Sequence, residues 1–84
     1  MADNIIITGA NQGIGYYMVE KLLAEGNKVS VLDIHTDNLV KLKEKNYSLI
    51  YYKVDLRNYD EVKSAVDETV AEFETIDIAV HNAC

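Results

Sequence analysis

The sequence predicts an α/β protein in three layers, with a parallel sheet of about four strands between helices. Three observations predict it. Four short apolar runs alternate with three helical patterns along 84 residues. That alternation means parallel strands joined by crossover helices. The apolar runs are continuous rather than alternating with polar residues, which is how strands covered on both faces read. The first run also enters a glycine turn, Gly9, Gly13 and Gly15 in the spacing G-x-x-x-G-x-G, and a helical pattern follows at once.

Ile5 to Thr8, mostly β-branched, is the first strand. The first helix is expected from about Ile14 to Glu25. Its apolar stripe is Ile14, Met18, Val19, Leu22 and Leu23, which repeats at helical spacing. Gly26 sits where a left-handed C-terminal cap belongs. Val29 to Asp33 is the second strand. A short second helix spans about Asp37 to Lys45 and carries Leu39, Val40 and Leu42. Leu49 to Val54 is the third strand. Asn58-Tyr59-Asp60-Glu61 resembles a capping box, with an N-cap side chain and a Glu three residues on. It opens the third helix, whose stripe is Val62, Ala65, Val66, Thr69, Val70 and Phe73. Ile76 to Val80 is the fourth strand, with Ile76, Ile78 and Val80 on one face and Ala79 on the other. Both faces expect cover, and only three helices are there to give it. The sequence therefore reads as the front part of a longer domain.

Composition sets outer limits. Hydrophobic residues make up 49% and charged residues 26%, with no proline, which is a globular balance. The net charge of −6 argues against nucleic acid or an anionic membrane as a partner. One cysteine, Cys84, excludes an internal disulfide framework. The start, Met1-Ala2-Asp3-Asn4, lacks the basic residues of a signal peptide, and no stretch has the length of a membrane span. The default location is the cytoplasm.

The glycine turn carries the first chemistry. Glycines let backbone approach a ligand with no Cβ in the way. The leading N–H groups and the positive end of the helix dipole then face an anion, most often a phosphate. The spacing is not G-x-G-x-x-G, because Met18 stands where the last glycine would be. It is not a P-loop either, because no Gly-Lys-Ser/Thr follows.

Thr8-Gly9-x-x-x-Gly13-x-Gly15 resembles the cofactor motif of the short-chain dehydrogenase/reductase family. Three further positions agree with that family in order and spacing. Asp33 ends the second strand, eighteen residues after Gly15. A carboxylate there accepts from the adenosine ribose hydroxyls of NAD and repels the 2′-phosphate of NADP. Gln12 and Ile34, at the positions where the resemblance would put residues that welcome that phosphate, are not basic and offer it nothing. Asp55, followed by Leu56, matches an Asp whose side chain, with the next backbone N–H, contacts adenine. A turn-forming Asp is the structural alternative. His81-Asn82-Ala83-Cys84 is similar to the family's Asn-Asn-Ala-Gly: Asn82 and Ala83 match, while His81 and Cys84 are substitutions. A Cβ at Cys84 would narrow a point of close cofactor approach. His81 is read as an ordinary strand-end residue, since no partner ligands stand at metal spacing.

The resemblance implies a Rossmann-like sheet in the order 3-2-1-4, truncated relative to the doubly wound fold. Residues 1–84 would be the N-terminal half of a dinucleotide-binding domain. The implied cofactor site uses Gly9, Asn11, Gln12, Gly13, Ile14, Gly15, Asp33, Ile34, Asp55, Leu56, Asn82 and Ala83, with Ile14 offering its backbone N–H to the pyrophosphate. The implied activity is NAD(H)-dependent oxidation or reduction of a small hydroxyl or carbonyl substrate. The family's catalytic groups are a Ser and a Tyr-x-x-x-Lys pair. Two such pairs occur, Tyr17…Lys21 and Tyr59…Lys63. Both read as pairs on solvated helix faces, so no catalytic residue is assigned.

Rival readings are weaker. An S-adenosylmethionine-dependent methyltransferase favours G-x-G-x-G, and Tyr17 breaks that pattern. A phosphoacceptor receiver domain needs an acidic pair after the first strand, where this chain has glycines and Asn11. A catalytically inert nucleotide-binding module remains open. A fourth strand at the sheet edge leads to the expectation that the chain self-associates.

Overall fold

The computed structural model describes residues 2–83. Seven elements alternate: β1 (Asn4–Thr8), α1 (Gly13–Ala24), β2 (Lys28–Asp33), α2 (Asp37–Lys43), β3 (Leu49–Lys53), α3 (Tyr59–Phe73) and β4 (Ile78–His81). The four strands are parallel in the order β3-β2-β1-β4, as the sequence led one to expect. In the register Ile7 stands between Val31 and Val80, and Thr8 between Leu32 and His81.

Side-chain alternation along the strands divides the core in two. Ile7, Val29, Val31 and Leu49 pack with Val19 of α1 and with Leu39 and Leu42 of α2. On the other face, Ile6, Leu32 and Val54 pack against Ala65 of α3. One polar contact is buried between sheet and helix. The Ser30 hydroxyl meets Thr69 Oγ1 at 2.7 Å, and Thr69 donates to the Ala65 carbonyl at 2.9 Å. Both side chains are therefore satisfied, which is the condition for burying them.

The helix ends explain where the elements stop. Gly26 takes a φ of 92° after α1. Its N–H donates to the Leu23 carbonyl and that of Asn27 to Leu22, the paired bonds of a Schellman cap. At the start of α3 the Asn58 side chain accepts from the Glu61 N–H at 3.2 Å. Glu61 does not return the bond to the Asn58 backbone as a full capping box would. Its carboxylate takes the Asp55 N–H and the Asn58 side-chain amide instead.

Three expected core positions fall outside the core. Ile14 is 78% exposed, Val40 44% and Val70 41%. Each lies at the edge of its helix's apolar stripe, beyond the reach of the sheet. The fourth strand also begins later than Ile76. Asp77 accepts the Asn4 N–H and donates its own to the Asn4 carbonyl, which fixes the start of pairing at Ile78. Ile76 consequently packs on the α3 side while Val80 packs on the α1 side, so they do not share a face. Among the described residues, no helix is long and apolar enough to cross a membrane.

Candidate functional site

The site forms where β1, β2 and β4 end. Gly9 leaves β1 with its N–H on the Leu32 carbonyl. A Cβ at Gly9 would stand 2.7 Å from the Ala83 Cα, and one at Gly15 would stand 2.5 Å from Asn82 Nδ2 and 2.8 Å from the Gly9 carbonyl oxygen. These two glycines let the loop and the segment after β4 lie against each other. Asn82 locks that approach, donating from Nδ2 to the Gly9 carbonyl at 2.8 Å. Thr8 Oγ1 lies within 3.2 Å of the Asn82 N–H and 3.4 Å of the Ala83 N–H, and 2.9 Å from His81 Nδ1.

Gly13 differs in kind. It has a φ of 67°, and a Cβ there would meet nothing within 4 Å. Its glycine satisfies the left-handed backbone and leaves open space in front of α1. The first turn of α1 is also uncapped. Gln12 holds the N-cap position without any side-chain bond to the helix. The leading N–H groups of Gly13, Ile14 and Gly15 have no partner within the helix, and the positive dipole end adds to their pull on an anion. This is the donor set a pyrophosphate needs.

Asp33 closes the other side. Its Oδ2 accepts the Asn11 N–H at 3.0 Å and its Oδ1 accepts the His35 N–H at 2.9 Å. An ionised carboxylate has about four lone-pair sites, so each oxygen keeps one for a ligand hydroxyl. Gly9, Asn11, Gln12, Gly13, Asp33, His35, Asn82 and Ala83 line one cleft of about 350 Å³. A hollow of about 380 Å³ lies at the opposite edge of the sheet, between Lys28, Lys43, Tyr47 and Phe73. We place the site at the former, because ligands of open α/β sheets bind outside the carboxyl ends of the strands.

Seven of the expected residues meet at this cleft: Gly9, Asn11, Gln12, Gly13, Asp33, Asn82 and Ala83. Gly15 supports it from behind. Ile14 and Ile34 lie outside its lining and expose their side chains. Asp55 and Leu56 also lie outside it. The Val54 N–H bonds to the Asp33 carbonyl at 3.0 Å, which sets Asp55 just beyond the end of β2. There the Asp55 carboxylate is gripped by Arg57, whose Nε and Nη2 donate at 3.0 and 2.9 Å while its backbone N–H donates at 2.9 Å. The side-chain bonds from Arg57, then its backbone N–H, hold the Asp55 carboxyl down at about 2. Cys84 lies outside the described residues. Neither Tyr17 nor Tyr59 lines the cleft, both are exposed, and Lys63 pairs with Asp67 at 2.8 Å.

Sequence reasoning missed one residue and one contact here. His35 lines the cleft two positions after Asp33, a proximity visible in the sequence. The buried side chain of Asn11 reaches across to α2, a long-range contact with no local signal.

Comparison with known proteins places this architecture. Residues 3–84 match the family model of the short chain dehydrogenases. A probable galactose dehydrogenase of Rhizobium meliloti (strain 1021) is 32% identical over 84 residues, covering 94% of this chain and 33% of that protein. An (S)-acetoin-forming diacetyl reductase of Staphylococcus epidermidis (strain ATCC 12228 / FDA PCI 1200) is 34% identical over 87 residues, covering 99% of this chain and 34% of the relative. A solved 4-hydroxyisoleucine dehydrogenase complexed with NADH superposes with a TM-score of 0.82 at 28% identity, covering 92% of this chain and 32% of that one. The chain thus spans about a third of the length of the curated relatives it matches. A family match running from residue 3 to residue 84 takes in every strand and helix of this sheet, and the chain belongs to the short chain dehydrogenase family.

Proposed function

We propose that residues 1–84 are the N-terminal, cofactor-binding segment of an oxidoreductase that moves a hydride between NAD(H) and a small hydroxyl or carbonyl substrate. The observation that carries this is the cleft in which an uncapped helix N-terminus, a glycine with open space before it and the Asp33 carboxylate face one another. The N–H groups of Gly13, Ile14 and Gly15 would hold the pyrophosphate. Asp33 would accept from the adenosine ribose hydroxyls, with Ile34 beside it. Asp55 and the Leu56 N–H would meet adenine. Asn82 and Ala83 would border the nicotinamide side. The bound cofactor supplies the hydride chemistry. A solved relative complexed with NADH supports the cofactor class. We place the protein in the cytoplasm.

Asp33 makes NAD the preferred cofactor. A buried like-charge clash costs several kcal/mol, and neither Gln12 nor Ile34 offsets the 2′-phosphate. Titration with NAD⁺ and NADP⁺ should show NAD⁺ binding at least about tenfold tighter, roughly 1.4 kcal/mol. Equal or tighter NADP⁺ binding would remove Asp33 from this role.

We also propose that the chain pairs with a second copy of itself. β4 forms one edge of the sheet, Ile78 there is 43% exposed, and Ala79 is exposed beside it. Unpaired edges template strand addition. Asp77 precedes the strand and is bonded to Asn4, so it does not blunt that edge from within. Sedimentation across a concentration series, with reductant present, should show association. A monomer at every concentration would refute it.

A further inference from the structure

We propose that Asn11 is a positioning residue that sets the Asp33 carboxylate for ribose recognition by clasping the glycine loop to the start of α2. This rests on the reading of Asp33 as the ribose acceptor.

Asn11 is 4% exposed, and each of its four polar groups has a defined partner. Its Oδ1 accepts the N–H groups of Asn38 and Leu39 at 3.0 and 3.2 Å. Its Nδ2 donates to Asp37 Oδ1 at 2.9 Å. Its backbone carbonyl accepts from Asn38 Nδ2 at 2.9 Å, and its backbone N–H donates to Asp33 Oδ2 at 3.0 Å.

The bonds to Asn38 and Leu39 are those an N-cap side chain makes, to the second and third residues of the helix. The residue that holds the N-cap position of α2, Thr36, makes no such bond with its side chain. The cap of α2 is therefore supplied from the glycine loop. The consequence reaches Asp33 because its two carboxylate oxygens are held by two different loops. Oδ2 is held from the glycine loop by the Asn11 N–H, and Oδ1 from the β2–α2 loop by the His35 N–H. The Asn11 side chain supplies three of the bonds that tie the glycine loop to the start of α2, and Asn38 Nδ2 adds one to the Asn11 carbonyl. With the Asn11 side chain gone, the two N–H groups no longer keep a fixed separation, and the carboxylate loses the orientation that leaves one lone pair on each oxygen facing the cleft. A helix cap of purely structural value would lower stability and leave ligand discrimination alone.

The experiment compares NAD⁺ with the analogue lacking the adenosine 2′-hydroxyl, by titration of the chain, its Asn11→Ala and Asn38→Ala variants, and a Thr69→Val control. A hydrogen bond to a charged acceptor contributes enough for the parent chain to prefer NAD⁺ about tenfold. Asn11→Ala should bring that ratio to about twofold or less through loss of orientation. Asn38→Ala removes one bond of the clasp, keeps the Asn11 side chain, and should lower the ratio part of the way. Thr69→Val destabilises α3 far from the cleft and should keep the parent ratio. Should Asn11→Ala fail to fold, Asn38→Ala decides alone. If the clasp variants weaken both ligands equally, Asn11 is only a cap and the proposal falls while the cofactor assignment stands. If the parent chain itself shows no preference, the Asp33 assignment falls and takes the proposal with it.

Discussion

Helices α1 and α3 begin in opposite ways. α3 opens on Asn58, whose side chain accepts the Glu61 N–H, with Asp60 and Glu61 in its first turn. α1 opens on Gln12, which makes no cap bond, and has no acidic residue in its first turn. The side-chain cap and the acidic first turn that α3 uses are both absent from α1. A capped N-terminus is spent on its own fold, whereas an uncapped one is available to an anion. α2 lies between these cases, since its cap comes from the glycine loop itself. The sheet thus presents one open helix start beside a second that is tied off by the same loop.

The largest effect should come from Gly13, because its open space is the feature that α3 lacks. Gly13→Val places a β-branched side chain at a φ of 67° and fills the space before α1. The left-handed conformation alone costs roughly 1–2 kcal/mol for a residue with a Cβ. Obstruction of the cleft should reduce affinity for NAD⁺ and NADP⁺ alike, each by at least about a hundredfold, or roughly 2.7 kcal/mol. Titration of both cofactors checks it. A variant that keeps parent affinity would show that the pyrophosphate does not lie over this turn.

Giving α1 the cap it lacks should sharpen the contrast. Gln12→Asp supplies an acceptor and a negative charge at the N-cap. Caps and favourable dipole charges each contribute about 0.5–1 kcal/mol, so the urea midpoint should rise. Affinity for NAD⁺ should fall at the same time, about fivefold, because the new carboxylate competes for the donors and repels the pyrophosphate. The mirror experiment is Asn58→Ala, which removes the cap of α3 and should lower stability by about 1 kcal/mol in the same denaturant series. If Gln12→Asp raised both stability and affinity, the open start of α1 would not be an anion site.

The parts that could be read from sequence are those with local causes. The alternation of strands and helices follows from four apolar runs and three periodic stripes, the spatial order of the strands came from the family resemblance, and Gly26 and Asn58 announce their helix ends one residue at a time. The meeting of the glycine loop and Asp33 at one cleft was legible because their spacing sets them at the ends of neighbouring strands. What was not legible depends on distance in the chain. Periodicity counts Ile14, Val40 and Val70 as core, but only the extent of the sheet decides which turn of a helix it covers. Asn11 reads as a loop residue until α2 is seen against it. Ile76 reads as strand until Asp77 is found bonded to Asn4, seventy-three residues away.

The smallest expected effect concerns the other acidic residue at this end of the sheet. Asp33 is held by backbone N–H groups alone, but Asp55 is held chiefly by a side chain, the Arg57 guanidinium in a two-pronged pair, with the Arg57 backbone N–H beside it. That grip keeps the Asp55 carboxyl at about 2, below its ordinary 3.8. A carboxyl whose pKa is lower folded than unfolded contributes stability above its unfolded value and loses it as pH falls through its folded value. The contribution should therefore be complete above about pH 5, fall progressively below that, and be gone near about pH 1. Arg57 is 89% exposed at its side chain, so solvent and salt screen the pair strongly. Urea midpoints of the parent chain and Arg57→Ala, measured from neutral pH downward, should differ slightly at first and converge across that window. Added salt should shrink the gap at neutral pH. A gap that persisted unchanged to about pH 2 would mean that Arg57 stabilises the turn by packing alone. In that case the Asp55 carboxylate would be free to meet an adenine amine without first giving up an ion pair.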